Sequence, residues 1–362
     1  MDDFITKDFF CTTCEVNTRY LTFERLRIDA SFLEALRGRP VVTSIAFHCC
    51  EGLQDSNLDC LATLPRLRQL YCCDSNLTGS CLKFLENTPL TYLDFTHSSF
   101  LKENRGYLRN FTELEHLSLK DAGVDETIFS ELTSASCLKE LDLSFNKFND
   151  EDELLSELPA LKEFHAICSP GASHFVPYVA KMPALRTLHL GDSNICDKDL
   201  ESLSSSSLAN LILTLNQEIT DEALKYIRDL PNLRFLFLGG ASITTDGLEI
   251  LADSPAAKSL FCMELRGIKN FYPDVKFLRK DRFPQLHTLE IDYSEELEAE
   301  LLKSGYEPDE SGDPIRYLKS GARDNQPDYF LYTDELEKDF HQIYHKAAPE
   351  RMDDDLNWSY SL

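Results

Sequence analysis

Two periods alternate along this chain. Around Leu208, Leu211 and Leu213 the apolar residues bracket polar or exposed positions, the spacing of a short strand with one buried face. Leu224, Ile227 and Leu230 then follow three apart, the stripe of a short helix. Between them Asn216 stands where the chain must turn, and its side chain can satisfy a turning backbone. Asp221 precedes the helical stripe, where the helix dipole favours an acid. Pro231 ends the helix and Leu233 restarts the cycle. One such unit cannot bury its own apolar face, so the pattern predicts an array of stacked copies.

The array is visible. Openings fall at Phe23, Val42, Leu67, Leu90, Leu114, Leu138, Leu161, Leu185, Leu208, Leu233, Leu260 and Leu286. Their spacing of about 24 residues is that of a solenoid repeat. Segments such as Cys60–Pro65, Leu154–Pro159 and Tyr226–Pro231 read as helices closed by proline. The expected organisation is an N-terminal cap over residues 1–22, about twelve repeats over 23–294, and an acidic C-terminal cap or tail over 295–362. Leu336, Phe340, Ile343 and Tyr344 predict an amphipathic helix near 334–346 in that tail. The first interval, Phe23 to Val42, reads as short. The stretches 167–174, with Pro170 and Gly171, and 266–273 read as loops bulging beside the binding face.

The segments Cys49–Leu61, Asn216–Leu230 and Leu238–Leu251 resemble the cysteine-containing subclass of leucine-rich repeats. That subclass occurs in F-box substrate adaptors and in bacterial effectors; no F-box is recognisable here. The resemblance covers about residues 23–294. It implies an α/β leucine-rich-repeat solenoid, a horseshoe with a parallel concave β-sheet and convex helices, capped at both ends. It fixes the fold better than the role, because the matching residues are buried ones. The implied function is a non-catalytic protein-interaction scaffold with a regulatory, inhibitory or targeting role. The alternative is the substrate-recognition adaptor of a ubiquitin-ligase-type complex, or an effector.

Charge narrows the partner. With 36 basic and 62 acidic residues the net charge is -26. Nucleic acid and anionic membranes would be repelled. A protein partner with a basic patch fits. The 12 cysteines fall mostly inside repeats, as small buried hydrophobes do in a reducing compartment. The expected location is therefore cytoplasmic or nuclear. Cys11 and Cys14 form half a zinc motif, and without a second half no metal or other cofactor is assigned.

In a strand reading x-Leu-x-Leu-x the x residues face the concave surface. The central row is then Arg27, Ala46, Tyr71, Asp94, Ser118, Asp142, His165, His189, Ile212, Phe237, Glu264 and Glu290, with Phe235 beside Phe237. The candidate protein-binding residues are Tyr71, Asp94, Asp142, His165, His189, Ile212, Phe235, Phe237, Glu264 and Glu290. An exposed apolar centre at Ile212 and Phe237 is expected, with both histidines beside it and acids on either side.

Overall fold

The computed structural model describes residues 4–5, 19–28, 30–37, 39–149, 158–205, 207–268, 278–279, 281–292, 294–308 and 316–319. The amphipathic helix expected near 334–346 and the Cys11/Cys14 pair lie outside them.

Each repeat contributes one strand, and the strands pair in sequence order. After β1 (Phe4–Ile5) come β2 (Tyr20–Glu24), β3 (Arg27–Ile28), β4 (Ser44–His48), β5 (Gln69–Cys73), β6 (Tyr92–Asp94) and β7 (His116–Ser118). These are followed by β8 (Glu140–Asp142), β9 (Glu163–His165), β10 (Thr187–His189), β11 (Asn210–Ile212), β12 (Phe235–Phe237), β13 (Cys262–Glu264) and β14 (Thr288–Glu290). Strand β2 and strands β4 to β14 run parallel in one sheet, while β1 pairs with β3 apart from it. The register aligns Leu21, Ile45, Leu70, Leu93 and their successors to Leu289 as a buried row, which is the centre of the core.

That register corrects the first repeat. Leu21 aligns with Ile45, and Phe23 with Phe47. The first repeat therefore starts with a strand at Tyr20, and the short first interval disappears. Thr22, not Arg27, belongs to the central row; Arg27 lies in β3, aligned with Phe4. Phe23 misled because it is apolar at a second inward position of the strand.

The turn after each strand is as regular as the strand. From β2 to β13 a left-handed residue stands four positions past each inner-row residue, from Arg25, Cys49 and Asp74 through Leu215 to Gly240 and Gly267. Only the last two of this series are glycine, so the turn leaves little trace in composition. The bend attributed to Asn216 is made by Leu215, with φ of 62°. Asn216 instead lies buried behind it. Its amide donates to Leu190 O and Leu213 O, and its Oδ1 accepts from the N–H groups of Ser193 and Ile195. Asn146, Ser169 and Ser193 serve the same backbone position in other repeats. The stretch 167–174 follows this pattern too: Cys168 takes the left-handed turn and Ser169 is buried, so it does not bulge.

The convex side departs from the expected helices. It holds short α-helices, among them Leu224–Ile227 and Thr245–Leu251, and 3₁₀ runs such as Asp55–Thr63, Ser80–Phe84 and Lys102–Asn110. A repeat this short leaves few residues for the return path, and the 3₁₀ form spans more distance per residue. Acids join neighbouring repeats there. Asp221 accepts from the N–H and hydroxyl of Thr244, Asp197 from those of Thr220, and Asp55 from those of Thr78. Asp221 thus links two repeats.

Past β14 the helix Glu295–Ser304 begins at Ser294, whose hydroxyl accepts from Leu297 N, and ends at Gly305 with φ of 86°. Strand β15 (Tyr306–Pro308) follows, then β16 (Arg316–Lys319). Strand β16 pairs antiparallel with both β14 and β15.

Gly171 gives one test of the stacking. Its φ is 88°, and a Cβ there would lie 2.1 Å from the carbonyl oxygen of Phe148 in the preceding repeat. Gly123 has φ of 67° but nothing within 4 Å of the same position. Gly171→Ala is expected to cost about 3 kcal/mol and Gly123→Ala about 1 kcal/mol, since both pay left-handed strain but only one must move backbone. Urea denaturation of the two variants checks this; equal losses would sink it.

Candidate functional site

Successive side chains of a strand point to opposite faces. The residues flanking the buried Leu21-to-Leu289 row therefore make the concave face in two rows. The central row runs Thr22, Ala46, Tyr71, Asp94, Ser118, Asp142, His165, His189, Ile212, Phe237, Glu264 and Glu290. The other row, two residues earlier in each strand, includes Tyr92, His116, Glu140, Glu163 and Phe235.

The C-terminal half differs from the sequence-based expectation. Ile212 and Phe237 are only 2% and 7% exposed. They pack with Cys262 against Phe235 and Phe261. Large side chains on adjacent strands, about 4.8 Å apart, shield one another, so an apolar outer row becomes a small core of its own. His189, Glu264 and Glu290 are buried as well. Truncating Ile212 or Phe237 would open a cavity rather than trim a surface. Tyr71, Asp94, Asp142, His165 and Phe235 are half-buried and remain reachable.

The two glutamates are buried because a cradle receives them. Glu264 accepts from Gly239 N at 2.9 Å, from Arg266 N at 2.8 Å and from Arg266 Nε at 3.2 Å. The same guanidinium reaches Glu290 at 3.3 Å. A Cβ at Gly239 would lie 2.5 Å from Glu264 Oε1, so glycine keeps that cradle open. Burial pushes the Glu264 carboxyl up to about 7, against the opposing pull of Arg266.

The N-terminal half carries the open chemistry. Tyr71 and Tyr92 pack at 4.5 Å between ring centres, and Tyr92 stacks on His116 at 5.4 Å. His116 Nδ1 meets Glu140 at 2.7 Å. Burial raises the phenol pKa of both tyrosines, and the Asp94 carboxylate adds to it. Asp94 and Asp142 each accept the N–H two residues on, that of Thr96 and that of Ser144. Part of their role is therefore to close the strand end.

The two histidines diverge. Their rings lie 5.8 Å apart in adjacent repeats. Burial opposes charging of His165, but Glu163, Asp142 and Glu140 outweigh it and raise its pKa. Burial pushes His189 well below the usual range, with His165 and Lys120 adding to it.

Tyr92, His116, Glu140 and Glu163 did not figure among the expected site residues. The same period-two pattern that puts Phe235 on this face puts them there too. Among the described residues no three His, Cys, Asp or Glu side chains are grouped to hold a metal ion.

Comparison with known proteins agrees on the repeat. Residues 134–152 match the family model described as Leucine Rich repeat. No curated protein matches the chain. Among solved structures the chain is similar to an internalin (inlF) of Listeria monocytogenes, with TM-score 0.56 and 20% identity, covering 77% of this chain and 75% of that one. A leucine-rich-repeat protein of Leptospira interrogans aligns with TM-score 0.41 and 17% identity, over 77% of this chain and 90% of that one. An internalin C2 of Listeria monocytogenes gives TM-score 0.40 and 18% identity, over 65% and 83%. The chain has the α/β leucine-rich-repeat solenoid fold.

Proposed function

We propose that this solenoid is a non-catalytic scaffold that holds a protein partner with a basic patch on its concave face, in a regulatory, inhibitory or targeting role. The observation that carries this is the half-buried run Tyr71, Tyr92 and His116, three rings packed in succession on the N-terminal half of the sheet face. Aromatic side chains in such a setting supply large contact area at small entropic cost. Four carboxylates beside them, Asp94, Glu140, Asp142 and Glu163, favour a basic partner.

In this reading the terminal caps are the segment before Tyr20, shortened from 1–22 by the register of β2, and residues 295–362, the latter including the acidic tail. This reading places the chain in a reducing compartment, to which the burial of Cys50, Cys60, Cys72, Cys81 and Cys262 as thiols is suited. Among the described residues no helix is long and apolar enough to cross a membrane.

Ser118 sits in the central row between Asp94 and Asp142. Ser118→Trp is expected to weaken a partner captured by the full chain at least about tenfold, with melting unchanged. Undiminished capture would overturn the concave-face reading.

A further inference from the structure

Beyond binding a basic partner in general, the middle of the concave face suits a particular side chain. We infer that the stretch from Glu140 to His189, across β8, β9 and β10, receives an arginine of an extended partner segment. This rests on the concave-face reading above.

The first observation is charge. In the two concave rows of β5 to β9 stand four carboxylates and two imidazoles, with no lysine or arginine. The stretch stays negative even with both imidazoles charged. Lys139 pairs with Glu115, while Lys120 lies over the Phe145 ring and acts on His189; counted with both imidazoles charged, it still leaves the four carboxylates in excess.

The second observation is independent of charge and points to a donor. His189 is 3% exposed, and its Nδ1 is buried without a hydrogen-bond partner. A buried polar atom left unpaired costs free energy, and a ligand that pairs it recovers that cost. Burial and the neighbouring His165 keep this imidazole deprotonated, so the ring carries one N–H and one acceptor nitrogen. The adjoining His165 Nε2 is likewise buried without a hydrogen bond, 3.8 Å from Glu163. Asp142, one strand away, commits one oxygen to Ser144 N.

A guanidinium suits this arrangement better than an ammonium. The acceptors lie on adjacent strands about 4.8 Å apart. Five N–H donors in a rigid planar fork can meet a carboxylate on one strand and an imidazole nitrogen on the next. A lysine ammonium is a compact point charge and serves one such acceptor well.

The test uses the full-length chain and labelled peptides of alternating Arg-Gly and Lys-Gly, read by fluorescence anisotropy. The Arg-Gly peptide should bind at least about fivefold more tightly than Lys-Gly. Asp142→Asn with Glu163→Gln should weaken it about tenfold, and His189→Leu should erase the preference for arginine. Glu218→Gln with Glu222→Gln, outside the sheet face, should leave it unchanged. Equal affinity for the two peptides, or equal loss from both pairs of substitutions, overturns the inference. A captured partner separates the two claims. If Ser118→Trp releases it and Asp142→Asn with Glu163→Gln does not, the concave-face reading stands and the arginine site falls. If neither releases it, both fall.

Discussion

Asn216→Ala is expected to lower unfolding stability by about 4 kcal/mol, although it removes no apolar contact. The side chain holds four backbone groups from two repeats: Leu190 O, Leu213 O, Ser193 N and Ile195 N. At 1% exposure none of these gains water when the amide goes. Each unpaired buried group costs roughly 1–3 kcal/mol, and partial relaxation keeps the total below the sum. Asn216→Ser should fall between, because the serines at this position in other repeats also bond to carbonyls. Chemical denaturation measures both. A loss under about 1 kcal/mol for alanine would mean that the turn is held by the strands alone.

Glu264 should make the protein less stable as pH rises through the slightly acidic range. Its folded carboxyl titrates near 7, against 4.5 for an ordinary glutamate. Between these values the folded chain binds the proton that the unfolded chain has released, so stability falls with rising pH. The loss approaches about 3 kcal/mol once the pH exceeds both values. Glu264→Gln removes this titration. Stability measured from pH 4 to 8 should therefore show a steeper decline for the native chain than for the variant. Parallel curves would rule out the buried carboxyl as the cause. His165, whose pKa is also raised, contributes decline to both proteins and cancels in the comparison.

The strands were legible because they repeat a simple rule: apolar residues inward, others outward, twelve times. Buried leucines state that rule openly. The turn was not legible, because its left-handed positions carry arginine, cysteine, aspartate, histidine, phenylalanine and leucine. At Arg25, Cys49, Phe145, Cys168 and Leu215 the conformation is imposed by stacking, and no local preference announces it. Phe23 shows the same limit in the first repeat, where either of two apolar residues could set the register and only pairing with β4 decides.

The site was half legible. Alternation placed Tyr71, Asp94, Asp142 and His165 on the concave face, where they stand half-buried. It also placed Ile212, Phe237, Glu264 and Glu290 there, but could not tell facing outward from being exposed. Ile212 and Phe237 are hidden by each other and by Cys262, Phe235 and Phe261. Glu264 is hidden because Gly239 and Arg266 supply its hydrogen bonds. Apart from Arg266 and Phe235, two residues from Glu264 and Phe237, these partners lie about 25 residues away on a neighbouring repeat, beyond the reach of a local pattern.

The return of β16 has a consequence for assembly. A stack of parallel strands is open-ended, and its last strand offers a ladder on which a further molecule could polymerise. Here the free side of β14 is occupied by a strand of opposite direction from the same chain. The outermost strand, β15, is three residues long and carries Glu307 and Pro308. A short edge with a charge and a proline is a poor template for further addition. At this end the solenoid carries its own chain terminator.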